Sequence, residues 1–257
     1  MPKPKYIIHS DEALAGIRQA AVVAATALDR ICRYVRPGMT TGELDRYAGQ
    51  TIKELGATSA FLNYKGFPGQ VCISLNEEVV HGIGNDSRTV LMGDLVKIDC
   101  GVHFEGYVGD NARSVSMGPA TTQVAKLMDI TKASLYAGIK AANAGNTVQD
   151  IGRAIEKMVT SAGFSVVHDF VGHGCGVDLH EPPEVPNYVT RRATTRLRPG
   201  MVLAIEPMVN IGTHRVTLDH EDGWTVRTQD GSMSSHFEHM IIITHHEAEI
   251  ITCPKTQ

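Results

Sequence analysis

Four acidic residues of this chain stand where carboxylates rarely stand. Asp99 lies in the run Leu95-Val96-Lys97-Ile98-Asp99-Cys100-Gly101, and Asp110 in Gly106-Tyr107-Val108-Gly109-Asp110-Asn111-Ala112. Glu206 follows five apolar residues, Met201 to Ile205. It precedes Pro207, which ends a ladder. Glu238 lies at the head of His236-Phe237-Glu238-His239-Met240-Ile241-Ile242-Ile243. Ionised carboxylates are almost never buried without a partner. One such acid reads as a solvent-facing strand end; four in one chain point to convergence.

If the turn is centred near 104–105, Asp99 and Asp110 face each other directly across a hairpin. Like charges so placed destabilise a strand pair, so something cationic belongs between them. The basic residues nearest in sequence, Lys97 and Arg113, cannot offset four negative charges. Two divalent ions can, and a dinuclear metal centre is the economical outcome. His173, in Val171-Gly172-His173-Gly174, offers an imidazole, and its flanking glycines let a backbone approach a metal closely. His180 follows in the same loop, and His81 sits in Glu78-Val79-Val80-His81-Gly82-Ile83. Carboxylate-rich ligation with one imidazole favours Co, Mn or Fe(II), with Zn or Ni also admissible, over a thiolate-type zinc site.

These residues need strands to carry them and helices to cover those strands. The segments Gly38-Met39-Thr40-Thr41-Gly42-Glu43-Leu44 and Gly145-Asn146-Thr147-Val148-Gln149-Asp150-Ile151 share one pattern 107 residues apart. In each, threonine caps a helix and an acid three residues on can close a capping box. A glycine then ends each helix at matched spacing, Gly56 and Gly163. The repeat suggests two related halves, about 1–119 and 120–257, joined near Pro119 within a single catalytic domain, 1–257. Helices are expected near 10–35, 40–55, 121–142 and 147–162. Strands are expected around 71–75, 95–102 and 107–117, then 164–170, 201–206, 214–218, 224–228, 237–244 and 248–252. Helices first and strands after, twice, predicts an α+β fold with helices on one face of an antiparallel sheet.

Composition bounds the function further. The 257 residues are 42% hydrophobic and 20% charged, which is ordinary for a globular protein. A net charge of −4 and 5% aromatics give no footprint for nucleic acid or anionic lipid. Five cysteines without a C-x-x-C pair read as reduced thiols of a cytoplasmic protein. The apolar stretch Ala20 to Leu28, bracketed by Arg18, Asp29 and Arg30, is too short to span a membrane and too amphipathic in context for a signal peptide. Rossmann, P-loop and Gly-x-Ser-x-Gly patterns are all missing.

The order Asp99, Asp110, His173, Glu206, Glu238 resembles the five-ligand dinuclear centre of type I methionine aminopeptidases of the short bacterial form. The resemblance extends through Val71-Cys72-Ile73-Ser74-Leu75-Asn76-Glu77, His180-Glu181-Pro182, Asp222-Gly223-Trp224-Thr225-Val226 and Phe237-Glu238-His239. It implies the pita-bread fold with pseudo-twofold halves. It implies that Asp110 and Glu238 bridge two divalent ions, that Asp99 holds one, and that His173 and Glu206 hold the other. His81 and His180 would contact the scissile peptide, and Tyr64, Phe67, Cys72, His81 and Trp224 would line the methionine pocket. Phe61 and Leu179 depart from the common pattern, in which a cysteine and an aromatic are frequent. An N-terminal cysteine/histidine zinc module before the core is not expected.

Glu206 is then the residue expected to move a proton toward the leaving nitrogen, and His180 to hydrogen-bond the developing oxyanion. The implied substrates are the N-termini of nascent chains with a small second residue, a rule that the chain's own Met1-Pro2 start satisfies. A monomer with a transient ribosome contact, and with no membrane or specific nucleic-acid partner, completes the expectation. Three alternatives are weaker. A proline-directed aminopeptidase commonly carries another histidine where this chain has Asp169. A type II enzyme needs a large insertion between Glu206 and Glu238. A metal-free binding protein of this fold has no use for the five intact ligands.

Overall fold

Helix α1 (Asp11–Tyr34) starts at Ser10, whose hydroxyl accepts the Ala13 N–H, with Asp11 and Glu12 in its first turn. A computed structural model of the chain describes residues 5–253, so Met1-Pro2 lies outside the described residues. The other helices are α2 (Thr41–Glu54), α3 (Thr122–Ala141) and α4 (Val148–Ser161), each close to its expected span. Glu43 accepts the Thr40 N–H, and Asp150 accepts both the N–H and the hydroxyl of Thr147. The helix starts are tied down alike. Gly38 N–H donates to Val90 O and Gly145 N–H to Leu197 O; Thr41 N–H donates to Arg88 O and Val148 N–H to Thr195 O. Each second bond lies 107 residues after the first.

Fifteen strands follow in chain order among the described residues. The first five are β1 (Thr58–Ser59), β2 (Cys72–Leu75), β3 (Glu78–Val80), β4 (Leu95–Phe104) and β5 (Tyr107–Ser116). Next come β6 (Ser165–Val166), β7 (Gly172–Gly174), β8 (Glu181–Val185), β9 (Val202–Ile205) and β10 (Met208–Asn210). The last are β11 (Val216–Leu218), β12 (Val226–Thr228), β13 (Ser234–His236), β14 (His239–Ile242) and β15 (Glu249–Ile250). All pairs are antiparallel, as expected, but they form four sheets and not one. The ladders run β1-β4-β2 with β5 on β4, β13-β10-β6, β11-β12-β3, and β15-β14-β9-β7-β8.

The sheet breaks where the site needs it. β9 pairs with β14 through Ile205 and His239, whereas β10 pairs with β13 through Met208 and His236. Two residues on each side, Glu206-Pro207 and Phe237-Glu238, therefore span the gap between two ladders. Proline cannot donate to a ladder, so the break is written into the sequence. Glu206 and Glu238 thus stand outside regular strands, at the ends of the runs expected to contain them.

The β4–β5 hairpin also differs from expectation. Phe104 pairs with Tyr107, and the turn is Glu105-Gly106 with φ 49° and 85°. Positive φ at both central residues is the type I′ condition for a tight hairpin. Its axis lies one residue later than expected, so Asp99 faces Ala112 and Asp110 faces Gly101.

Helix α1 lies close on this hairpin through a run of small buried residues, Ala20, Ala21, Ala24 and Ala25. A Cβ on Gly109 would collide with the Ala20 carbonyl, so glycine there permits the contact that holds the strand beside Asp110. One apolar cluster joins α1 and α2 to β2 and β4; another joins α3 and α4 to β9. Among the described residues, no helix is long and apolar enough to cross a membrane.

Candidate metal centre

The five expected ligands meet in one cavity of about 170 Å³. Asp99 comes from β4, Asp110 from β5 and His173 from β7, while Glu206 and Glu238 come from the paired break between ladders. Donor atoms of Asp110, His173 and Glu238 lie within 4.8 Å of one another. His173 Nε2 is 3.4 Å from Glu206 Oε1 and 3.9 Å from Asp110 Oδ2. His173 Nδ1 lies 2.9 Å from the Gly174 carbonyl. A carbonyl can only accept, so Nδ1 carries the proton and Nε2 presents a lone pair to the carboxylates.

The flanking glycines also have a packing role that the sequence did not announce. A Cβ on Gly172 would strike Ala204 O, and one on Gly174 would strike Pro182 O. They let β7 pack between its neighbours.

Electrostatics in the cavity favour neutral groups. Burial raises the Asp110 pKa to about 7, against an opposing N–H from Asn111. Asp99, Glu206 and Glu238 are pushed well above the usual carboxylate range, first by burial and then by one another's charge and that of Asp110. Burial lowers His173 and His81 to about 4. Burial, then His173 and Lys65, lowers His180 to about 3. Asp99 Oδ1, Asp110 Oδ1 and Glu238 Oε1 are buried with no hydrogen-bond partner. Three of the four clustered acids carry orphaned oxygens, and among the described residues no lysine or arginine pairs with any of the four, so once ionised they need a positive charge from outside the chain.

The expected pocket residues line the same cavity: Tyr64, Phe67, Cys72, His81, His180 and Trp224. Phe67 and Trp224 meet edge to face, with centroids 5.2 Å apart. Tyr64 Oη and His180 Nδ1 share a 2.9 Å hydrogen bond. His81 has φ 60°, a left-handed conformation that costs a non-glycine residue about 1–3 kcal/mol. Such strain clusters at working sites. Its ring is held edge to face by Phe170 at 5.3 Å.

Residues 15–245 match the profile of metallopeptidase family M24. The chain belongs to metallopeptidase family M24. A methionine aminopeptidase of Clostridium acetobutylicum is 43% identical over 246 residues, covering 96% of this chain and 98% of that protein. Methionine aminopeptidase 1 of Bacillus subtilis is 44% identical over 237 residues, covering 92% and 94%. The crystal structure of methionine aminopeptidase from Rickettsia prowazekii matches with a TM-score of 0.93 at 37% identity, over 96% of this chain and 100% of that one. The M24 architecture of this chain is the α+β pita-bread arrangement.

M24 membership implies divalent metal ions, and the donor set fits them. Oxygen donors outnumber nitrogen, three oxygens are orphaned, and burial holds the Cys72 thiol well above its ordinary pKa, so a thiolate is not on offer. His236 escaped the sequence reading as a site residue. It is 1% exposed, with Nε2 3.5 Å from Glu206 Oε2. Its position two residues before Glu238 was the available signal. Lys65 also lines the cavity, a cation beside His180 and His81 that no spacing had marked.

Proposed function

We propose that this M24 metallopeptidase removes the N-terminal methionine from peptide chains whose second residue is small, using two divalent ions, with Co, Mn or Fe(II) favoured. The observation that carries this reading is the junction, in one cavity, of a buried carboxylate cluster with an aromatic and apolar slot. Asp110 and Glu238 are assigned to both ions, Asp99 to one, and His173 and Glu206 to the other. Bound there, the ions supply a Lewis acid for the peptide carbonyl and lower the pKa of water.

The chain's own residues do the rest. Glu206 takes the proton released by the attacking water and passes it toward the leaving nitrogen. With the Tyr64 hydroxyl donating to Nδ1, His180 carries its proton on Nε2 and hydrogen-bonds the developing oxyanion. Neutral His81 contacts the peptide nitrogen. Phe67 and Trp224 pack the flexible thioether, whose polarizable sulfur suits aromatic faces. Asp169, where proline-directed relatives carry another histidine, is exposed and lies outside the cavity wall.

The proposal includes action by a monomer in the cytoplasm on chains met at the ribosome; five free cysteines support the reducing compartment. The test is kcat/KM on Met-Ala-Ser against Ala-Pro-Ala with each metal in turn, followed by a Met-X-Gly series. A steep fall as X grows past Val is expected. Preference for Ala-Pro-Ala, or a flat profile through Leu, Glu and Lys, would remove the methionine reading and leave the metallopeptidase intact.

A further inference from the structure

His180 sits in a stretch without regular structure, residues 175–180, between β7 and β8. Val177 is 51% exposed and Asp178 is exposed, so solvent covers much of this loop. Something must hold it if His180 is to keep its 2.9 Å contact with Tyr64. Leu179 supplies one anchor, buried in the cavity wall. Glu181 supplies the other. Its Oε1 accepts the N–H groups of Val177 at 2.7 Å and Asp178 at 3.0 Å. Its Oε2 accepts from His9 Nε2 at 3.0 Å.

The two side chains of this pair are only 4% and 3% exposed, though the residues lie 172 positions apart. Burial alone would raise the Glu181 pKa, but the His9 and loop N–H donors outweigh it and hold the carboxyl below its ordinary value. His9 is itself fixed, its N–H donating to Gly200 O at 2.9 Å. Its imidazole fills the space above Gly176, where a Cβ would come within 2.9 Å of the ring. Gly176 O in turn accepts the Val108 N–H, two residues before Asp110.

We infer that His9 and Glu181 are positioning residues for His180: the segment before α1 clamps the loop that carries the oxyanion donor. This rests on the role assigned to His180 above. A carboxylate with three donors around it fixes a loop backbone better than either donor alone, and a displacement of about 1 Å near reacting atoms can cost about 100-fold in rate.

The test is a double-mutant cycle on the metal-loaded protein, reading kcat and KM for Met-Ala-Ser with metal content and circular dichroism as controls. His9→Ala is expected to keep metal and fold, to lower kcat about tenfold or more, and to leave KM nearly unchanged. His9→Gln, which can still donate to Glu181, should recover most of that loss. In a His180→Ala background, His9→Ala should have no further effect. Should His9→Ala fail to fold, Glu181→Gln, which keeps the shape and the one oxygen that accepts both loop N–H groups but places an amide NH2 where His9 donates, takes its place in the cycle. Wild-type kcat in His9→Ala, or the same fold-loss with and without His180, overturns the inference. Unchanged kcat in His180→Ala alone would instead overturn the role of His180, and the clamp with it.

Discussion

Asp99 and Asp110 stand diagonally across the β4–β5 ladder, Asp99 opposite Ala112 and Asp110 opposite Gly101. Across this hairpin each carboxylate therefore faces a residue with no side chain beyond a methyl group. The empty place at Gly101 is not idle. A Cβ built there would overlap the Phe61 ring, which lines the same cavity. Phe61 and Gly101 form one packing solution: the ring fits because residue 101 has no side chain.

Gly101→Ala is expected to push the Phe61 ring into the slot that takes the substrate side chain. Overpacking of this kind costs about 1–3 kcal/mol. A fall of about tenfold in kcat/KM on Met-Ala-Ser should follow, with metal content unchanged. Gly101→Ala combined with Phe61→Cys should recover most of the activity, because the smaller side chain vacates the contested space. Independent, additive losses in the double variant would show that the two residues do not share it.

His180 and His81 line the cavity without sitting among the clustered donor atoms of Asp110, His173 and Glu238. Their alanine variants should keep full metal content yet lose about 100-fold or more in kcat, the scale for removing one oxyanion donor. Elemental analysis checks the first half and steady-state kinetics the second. Loss of metal in His180→Ala would make it a ligand.

Metal affinity should rise with pH across neutrality. The sign follows from the protonation states. Asp110, raised to about 7 by burial, and the further-raised Asp99, Glu206 and Glu238 hold protons in the metal-free protein that ligation must expel. His173, lowered to about 4, is already neutral and releases none. Below about pH 7 the apparent Kd for Mn should fall about tenfold per pH unit for each proton released. Calorimetry in two buffers of different ionisation enthalpy counts those protons. An affinity independent of pH between 6 and 8 would contradict the buried-acid picture.

Much of this was legible in the sequence because the signals are local. Thr40 with Glu43 and Thr147 with Asp150 announce helix starts within four residues, and acids directly after or within apolar runs announce carboxylates held in strands or at their ends. Six of the short strands, β1, β3, β7, β8, β10 and β13, were not legible. Gly172-His173-Gly174 reads as a loop because its glycines answer to Ala204 and Pro182 on neighbouring strands, which no local pattern reveals. The hairpin axis was displaced by one residue because Glu105, a non-glycine, adopts φ 49° in the turn. The division into four sheets depends on two distant breaks at the same level, Glu206-Pro207 and Phe237-Glu238. The Glu181 partner was out of reach for the same reason, since His9 lies 172 residues away.

Whether a carboxylate-held metal centre is the source of the activity is decided by measuring metal per chain and Met-Ala-Ser turnover on the same samples of wild-type protein and Asp110→Ala. Wild-type protein is expected to hold two divalent ions at saturation, to lose turnover when stripped by chelator, and to regain it as metal is restored. Asp110→Ala should bind markedly less metal and show no measurable hydrolysis. Near wild-type turnover in Asp110→Ala, or undiminished turnover in chelated wild-type protein, would contradict a carboxylate-held metal centre as the source of the activity.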